Sequence, residues 1–436
     1  MKFGGMVLDR VTVLNVECEA ARRDGRVGRG FGSMPLCNVW AFRSGRLSDS
    51  QTMHAMKRLA EHGSRLCAEH SEFGDPIELG VALERQFLAA AEAVSHELNL
   101  ADPIPPLATL VTASAFDAAI HDAFGKLQGL SCYRTYNPEF LNGDLSAHLG
   151  PAFAGEWPGD GWLTAPQPRL ALYHAVGALD PLTDGDVARR VGDGLPETLA
   201  QWIERSGLTH LKIKLNGDDL AWDLARVSAI HAVAETARRA PGARMWRYSL
   251  DFNECCRSVG YLVEFLRRLA EAAPAAFARI ELVEQPMHRE LDPGPAGRVH
   301  EAARLCPIVI DESLTGLDSI LLAHELGYSG VALKACKGQT QSLLMAAVAR
   351  RLGLSLCVQD LGCPGASLIH SAGLAAHLPG IDSLESNSRQ FCPAANVGWE
   401  NRFPGIFCVS DGRIDTSALT GPGLGAVPPA TLELLR

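Results

Sequence analysis

A chain of 436 residues exceeds the size at which one hydrophobic core stops growing, and it predicts two structural units with an ample buried interior. Apolar residues make up 47%, charged residues 21% and aromatics 6%, which excludes a disordered or fibrous chain and reads as a soluble globular protein. The formal charge of -10 argues against nucleic-acid and anionic-membrane partners, because either rewards a clustered basic face.

No apolar run approaches the roughly 18 residues of a membrane span. Met1 to Arg10 lack the basic-then-apolar order of a signal peptide, so a cytoplasmic location is expected. Twelve cysteines are scattered from Cys18 to Cys408 without paired CxxC sets, which indicates neither a zinc knuckle nor a disulfide framework. They read as small, reduced core residues; a reactive thiol would be sought among Cys255, Cys336, Cys357 and Cys363, which fall near predicted strand ends.

From Met6 to Ala20 apolar and polar residues alternate, and a turn-rich stretch with Gly28, Gly30 and Gly32 precedes Val39-Trp40-Ala41-Phe42. This predicts a small antiparallel sheet. The glycines read as a mobile loop or hairpin rather than a nucleotide loop, since no helix with the right continuation follows them. Between Asp49 and Gly129 the spacing becomes helical, through Met53-Met56-Leu59, Leu83-Phe87-Ala91 and Phe116-Ile120-Phe124, and predicts three helices against that sheet. Residues 136–168, rich in Gly, Pro and Trp, read as a linker or insertion.

Beyond Leu170, short apolar runs alternate with amphipathic helices, the pattern of βα units around a parallel sheet. Eight strands are predicted: Leu170–Tyr173, His210–Lys214, Tyr248–Asp251, Ile280–Glu284, Pro307–Asp311, Val331–Lys334, Ser355–Gln359 and Ser383–Glu385. Charged endpoints at 214, 251, 284, 311, 334, 360 and 385 lie 23 to 37 positions apart, one βα repeat each, which suggests an eight-stranded barrel.

In such a barrel the carboxyl ends of the strands open onto one face, so these endpoints converge. Asp251, Glu284 and Asp311 supply three hard oxygen ligands from consecutive strands, a set suited to Mg²⁺, with Mn²⁺ as a substitute. A carboxylate substrate on that metal has an acidified α-proton, and lysine can serve as the base. Lys212 and Lys214, two apart on one strand, share a side of the sheet, and a neighbouring ammonium is expected to lower a lysine pKa; Lys212 reads as the electrostatic helper. Lys334 stands across from them.

The segments Lys212-Ile213-Lys214, Leu250-Asp251-Phe252-Asn253-Glu254, Val283-Glu284-Gln285-Pro286, Ile310-Asp311-Glu312-Ser313 and Leu333-Lys334-Ala335-Cys336-Lys337 resemble, in order, the motifs of the enolase superfamily. Ser114 to Asp122 with Gly125-Lys126 is similar to that family's capping domain, and Gly421-Pro422-Gly423-Leu424-Gly425 to its carboxyl-terminal return. The resemblance implies a modified TIM (β/α)7β barrel at 169–395, an α+β amino-terminal capping domain at 1–135, the linker at 136–168 and a returning segment at 396–436. It implies Mg²⁺ on Asp251, Glu284 and Asp311, with Glu312 as an alternative third ligand, and Lys214 and Lys334 as acid and base on opposite faces of the substrate, a known pattern of that superfamily.

A His expected at the seventh strand of the mandelate-racemase branch is replaced by Val358-Gln359-Asp360-Leu361, and the two lysines resemble the muconate-lactonizing branch, whereas Glu385 resembles the eighth-strand acid of the racemases. Asn253, Lys337, Gln359, Asp360 and Glu385 are expected around metal or substrate; His370 reads as part of a helix. Trp157, Trp162, His174 and the Gly28–Phe31 loop are candidates to close over substrate. The expected reaction is racemisation or epimerisation of a small carboxylate by a homo-oligomeric enzyme. Dehydration of an acid sugar or hydroxy acid and cycloisomerisation are the alternatives, and a carboxylate-binding barrel without turnover is the remote one.

Overall fold

The computed structural model describes residues 10–237 and 245–426, with backbone alone at residues 2–3 and 6–7. The side chains of the alternating stretch before residue 10, and the tail beyond residue 426, therefore lie outside the described residues.

Alternation in the opening segment becomes strand β1 (Val13–Ala21), whose side chains are half-buried and exposed in turn. It pairs antiparallel with β2 (Val27–Pro35), from Val13↔Pro35 to Ala21↔Val27. Three helices pack behind the hairpin, and local sequence sets their ends. Ser48 and Gln51 form a capping box at the start of α1 (Asp49–Glu69), Asp75 and Glu78 form another at α2 (Pro76–Glu97), and Gly129 closes α3 (Pro106–Gln128) in the left-handed region at φ 68°.

Gly28, Gly30 and Gly32 sit in β2, so of the two readings, mobile loop or hairpin, the hairpin is the one that forms. A Cβ on Gly30 or Gly32 would run into the Ala119 or Ala115 carbonyl oxygen of α3, so glycine is what lets strand and helix backbones touch. Val39 to Phe42 also departs from expectation. Asn38–Ala41 is a short helical turn with all four residues buried, because a brief apolar run does not by itself distinguish strand from helix. In the 136–168 segment Leu141, Leu145, Phe153 and Trp162 are buried, and Trp162 stacks on Tyr133 at 5.8 Å, which ties it down as packing.

All eight predicted barrel strands are present: β3 (Arg169–Val176), β4 (His210–Lys214), β5 (Arg247–Asp251), β6 (Ile280–Glu284), β7 (Ile308–Ile310), β8 (Gly330–Leu333), β9 (Ser355–Val358) and β10 (Ser383–Glu385). They form one parallel ladder in the order β9-β8-β7-β6-β5-β4-β3-β10, and β11 (Arg413–Asp415) joins β3 antiparallel. The two ends of this ladder curl together. Lys212 on β4 donates to Gln359, just past β9, at 3.3 Å and to Glu385 on β10 at 2.7 Å, so one side chain inside the sheet reaches both terminal strands.

Buried imidazoles are expected to make the fold acid-sensitive. Burial drives His370 to about 3 and His377 to about 4, with Lys126 adding to the first and a Gly373 backbone bond opposing the second. Both ring nitrogens of His370 are buried without a hydrogen-bond partner. Its folded pKa lies below the unfolded value of 6.5, so the unfolded chain takes the proton first; stability is whole above pH 6.5 and drains as pH falls toward 3. The urea midpoint is expected to fall between pH 6.5 and 4, and His370→Leu, which removes one of these groups, is expected to flatten that slope.

Candidate active site

Sheet register builds the site. Lys214, Asp251 and Glu284 are Cα partners across β4, β5 and β6, and Glu284 is opposite Val309 on β7. Neighbours in a ladder share a face and side chains alternate, so Asp311, two residues beyond Val309, returns to that inner face, as does Lys212. Every residue of β4 is buried, which suits a strand covered on both sides: Leu211 and Ile213 pack outward while the two lysines point inward. Lys334 follows the last residue of β8, four strands from β4 in a ladder of eight and hence across the barrel.

Lys212 Nζ is the hub, 2.8 Å from Glu284 and 2.7 Å from Glu385, with Asp251 at 3.2 Å. Lys214 Nζ donates to Asp251 Oδ2. Lys334 Nζ lies 2.7 Å from Asp311 Oδ2, and Lys337 Nζ 3.1 Å from Asp311 Oδ1. Gln359 Nε2 donates to Glu284 at 2.5 Å, and Asn253 Nδ2 to Glu312 at 3.3 Å. Of the predicted site residues, Lys212, Lys214, Asp251, Asn253, Asp311, Lys334, Asp360 and Glu385 line one cavity; Glu284, Glu312, Lys337 and Gln359 stand behind them in these contacts.

Six buried carboxylates, Asp251, Glu284, Asp311, Glu312, Asp360 and Glu385, face four buried ammonium groups, Lys212, Lys214, Lys334 and Lys337, an excess of two negative charges when all are ionised. Burial and like charge, first Asp251 for Glu284, Asp311 for Glu312 and Glu385 for Asp360, raise the pKa of these three carboxyls. Asp251 and Asp311 are instead held low, because their lysine partners outweigh burial. The expected lowering of a lysine by its ammonium neighbour is not what the site does. Burial pulls Lys212 down, but Glu284, Glu385 and Asp251 outweigh it and raise its pKa, and Asp311 does the same for Lys334.

The hairpin layer closes the cavity from above with Val11, Cys37 and Trp40, and Leu361, Gly362, Asn387, Phe391 and Cys392 complete the wall. Trp40 Nε1 donates to Glu312 at 2.9 Å while its ring lies 4.9 Å from Lys334 Nζ, a cation–π contact. The cavity holds only about 40 Å³. The residues expected to cover it lie elsewhere. Gly28–Phe31 is strand, Trp157 and Trp162 do not line the cavity, and His174 borders a separate one with Trp202.

Three contributors escaped sequence reasoning. Trp40 comes from the other layer and carries no strand-end signal. Asn387 orients Glu385 at 2.8 Å and anchors the Ala175 amide at 2.9 Å. Gln285, held at φ 33°, accepts from Asp311 N at 2.7 Å and donates to Ser313 Oγ at 2.7 Å, which braces the end of β7; its place directly after Glu284 was the available clue.

Among the described residues no three His, Cys, Asp or Glu side chains converge closely enough to grip an ion as they stand, because Lys212 sits among Asp251, Glu284 and Glu385. The donor chemistry nonetheless fits a hard divalent cation. With every carboxyl ionised the site carries two surplus negative charges, it has oxygen donors on adjacent strands, and Glu312 Oε2 and Asn253 Oδ1 are buried without hydrogen bonds. The thiols nearby are poor nucleophiles: burial pushes Cys336 and Cys392 to about 12 and Cys363 well above its ordinary value.

Residues 194–431 match the family described as enolase C-terminal domain-like. An aromatic dipeptide epimerase of Herpetosiphon aurantiacus is 28% identical over 258 residues, 58% of this chain and 66% of that protein. The L-Ala-D/L-Glu epimerase of Bacillus subtilis is 32% identical over 177 residues, 40% of this chain and 42% of that protein. The aligned stretches thus span less than two thirds of either relative. A solved substrate-liganded structure of the Bacillus subtilis epimerase shares the fold at TM-score 0.61, 18% identity, and coverage of 97% of this chain and 99% of that one. With more than half its length matched by the family, and with the motifs on the strands where they were read, the chain belongs to the enolase superfamily, of the mandelate racemase and muconate lactonizing type.

Proposed function

We propose that this protein is an Mg²⁺-dependent epimerase that removes and returns the proton α to a carboxylate of a dipeptide or related amino-acid derivative. The observation that carries this reading is a pair of buried lysines, Lys214 and Lys334, four strands apart and lining one cavity. One base on each face is what inversion at a carbon requires.

Asp251, Glu284 and Asp311 would hold Mg²⁺, or Mn²⁺ in its place, and the ion would supply positive charge against the negative charge that develops on the substrate carboxylate. Lys214 Nζ takes or gives that proton on one face and Lys334 Nζ on the other. Each is paired with one of the same carboxylates, Lys214 with Asp251 and Lys334 with Asp311, so the two acid–base groups are held beside the ligand set itself. Lys212, with Glu385 among its partners, remains charged and steadies negative charge nearby.

Asp360 supports the substrate class. Its Oδ2 is buried without a hydrogen-bond partner on the cavity wall, and an ammonium or amide N–H of an amino-acid derivative satisfies it. The two similar epimerases, named for dipeptides, point the same way. The reading carries a cytoplasmic homo-oligomer acting on a soluble small molecule.

Stereochemically pure dipeptides incubated with enzyme and Mg²⁺ and separated by chiral chromatography test it. A diastereomer of unchanged mass is expected. A product lighter by one water would make the protein a lyase and overturn the epimerase reading.

A further inference from the structure

Lys334 is held from a direction the chemistry does not use. Five residues after it begins helix Gln339–Leu352, whose N-cap is Gly338 at φ 117°, a residue with no side chain to cap the helix. A carboxylate from the other layer takes that role. Asp117 of α3 accepts from Thr340 N at 2.9 Å through Oδ2 and from Thr340 Oγ1 at 2.6 Å through Oδ1. His121, one turn on, places Nε2 at 2.8 Å from Thr340 Oγ1 and Nδ1 at 2.9 Å from Tyr136 OH.

All of this is buried: Asp117 is 6% exposed, Thr340 3% and His121 0%. Helix α2 makes room for it, since a Cβ on Gly80 would strike Thr340 Oγ1 and come within 2.6 Å of Asp117 Oδ1. The start of the capped helix in turn fixes the turn that carries Lys334. Lys334 O accepts from Lys337 N at 2.9 Å and from Ser342 Oγ at 3.4 Å, and Gly338 N donates to Ala335 O at 3.0 Å. A buried carboxylate on the otherwise unpaired amides of a helix start is a strong cap, reinforced by the helix dipole.

We propose that Asp117 is a positioning residue for Lys334: by capping the following helix across the layer interface, it sets where the lysine on one substrate face stands. This rests on the reading of Lys214 and Lys334 as the two acid–base groups. None of these bonds reaches Lys214, whose strand lies four places away in the ladder. Loosening the cap therefore acts on one stereochemical direction, which a general loss of structure does not do.

The test is α-proton exchange in D₂O, followed by NMR from each stereoisomer of a turned-over dipeptide with Mg²⁺, for wild type, Asp117→Ala, Asp117→Asn and Thr340→Val. Lys334→Ala identifies the isomer that depends on that lysine. Asp117→Ala is expected to slow that isomer roughly tenfold or more relative to the other, since small misplacements of a reacting group are costly. Asp117→Asn, which keeps an acceptor for the Thr340 amide, is expected to restore most of the ratio. If Asp117→Ala does not fold, Thr340→Val carries the same expectation at smaller size. Equal slowing of both isomers, or an unchanged ratio, overturns the proposal alone. A wild type that exchanges neither isomer overturns the acid–base reading and this proposal with it.

Discussion

Lys334→Ala is expected to abolish epimerisation while α-proton exchange continues from one stereoisomer, and Lys214→Ala to leave exchange from the other. Each variant retains the lysine on the far side of the cavity, and that lysine still removes and returns protons on its own face. The lost direction should slow by roughly 10² to 10⁴, the range that general acid–base groups contribute. Both variants are expected to fold. Asp311 keeps Lys337 at 3.1 Å when Lys334 is gone, and Asp251 keeps Lys212 at 3.2 Å when Lys214 is gone, so neither deletion strands a buried carboxylate. NMR of each isomer in D₂O separates this outcome from uniform inactivation, which would mean that the lysines do not divide the faces between them.

Lys212→Met is expected to do something different, namely to weaken the fold itself. Glu284, Glu385 and Asp251 all contact this one ammonium, whose side chain is 2% exposed. Methionine fills the space but leaves buried negative charge unpaired, at a cost of about 3–5 kcal/mol for breaking such a pair from one side. The contacts also join β4 to β6 and to β10 at the ladder's end, so the loss falls on the closure of the barrel. Chemical denaturation in chelator should show the drop, and added Mg²⁺ should recover part of it, by more than it stabilises wild type. A variant as stable as wild type in chelator would mean that these carboxylates are neutral without Lys212.

The strand ends were legible because two signals coincided. Short apolar runs ending on Lys214, Asp251 and Glu284 coincide with β4, β5 and β6, and a barrel sends strand ends to one place. What came from elsewhere was not legible. Trp40 lies in a brief apolar run that reads equally as strand or helix, and its reach to Glu312 depends on how two layers stack. Gly28, Gly30 and Gly32 read as a mobile loop or hairpin, and the hairpin is what forms, but their role in it was hidden: the Ala119 and Ala115 carbonyls that require Gly30 and Gly32 lie some eighty to ninety residues on. The direction of the Lys212 shift failed for a related reason. Sequence showed its neighbour Lys214, while the three carboxylates that outweigh it arrive from other strands.

One measurement bears most directly on proton removal by this cavity. A single dipeptide stereoisomer, incubated with wild-type protein in D₂O with Mg²⁺ and again with chelator, is examined for deuterium at the α-carbon in both recovered substrate and epimer. Deuterium in both, dependent on the metal, is the predicted result. An epimer that retains its original proton, or no exchange in either condition across a range of dipeptides, would contradict it.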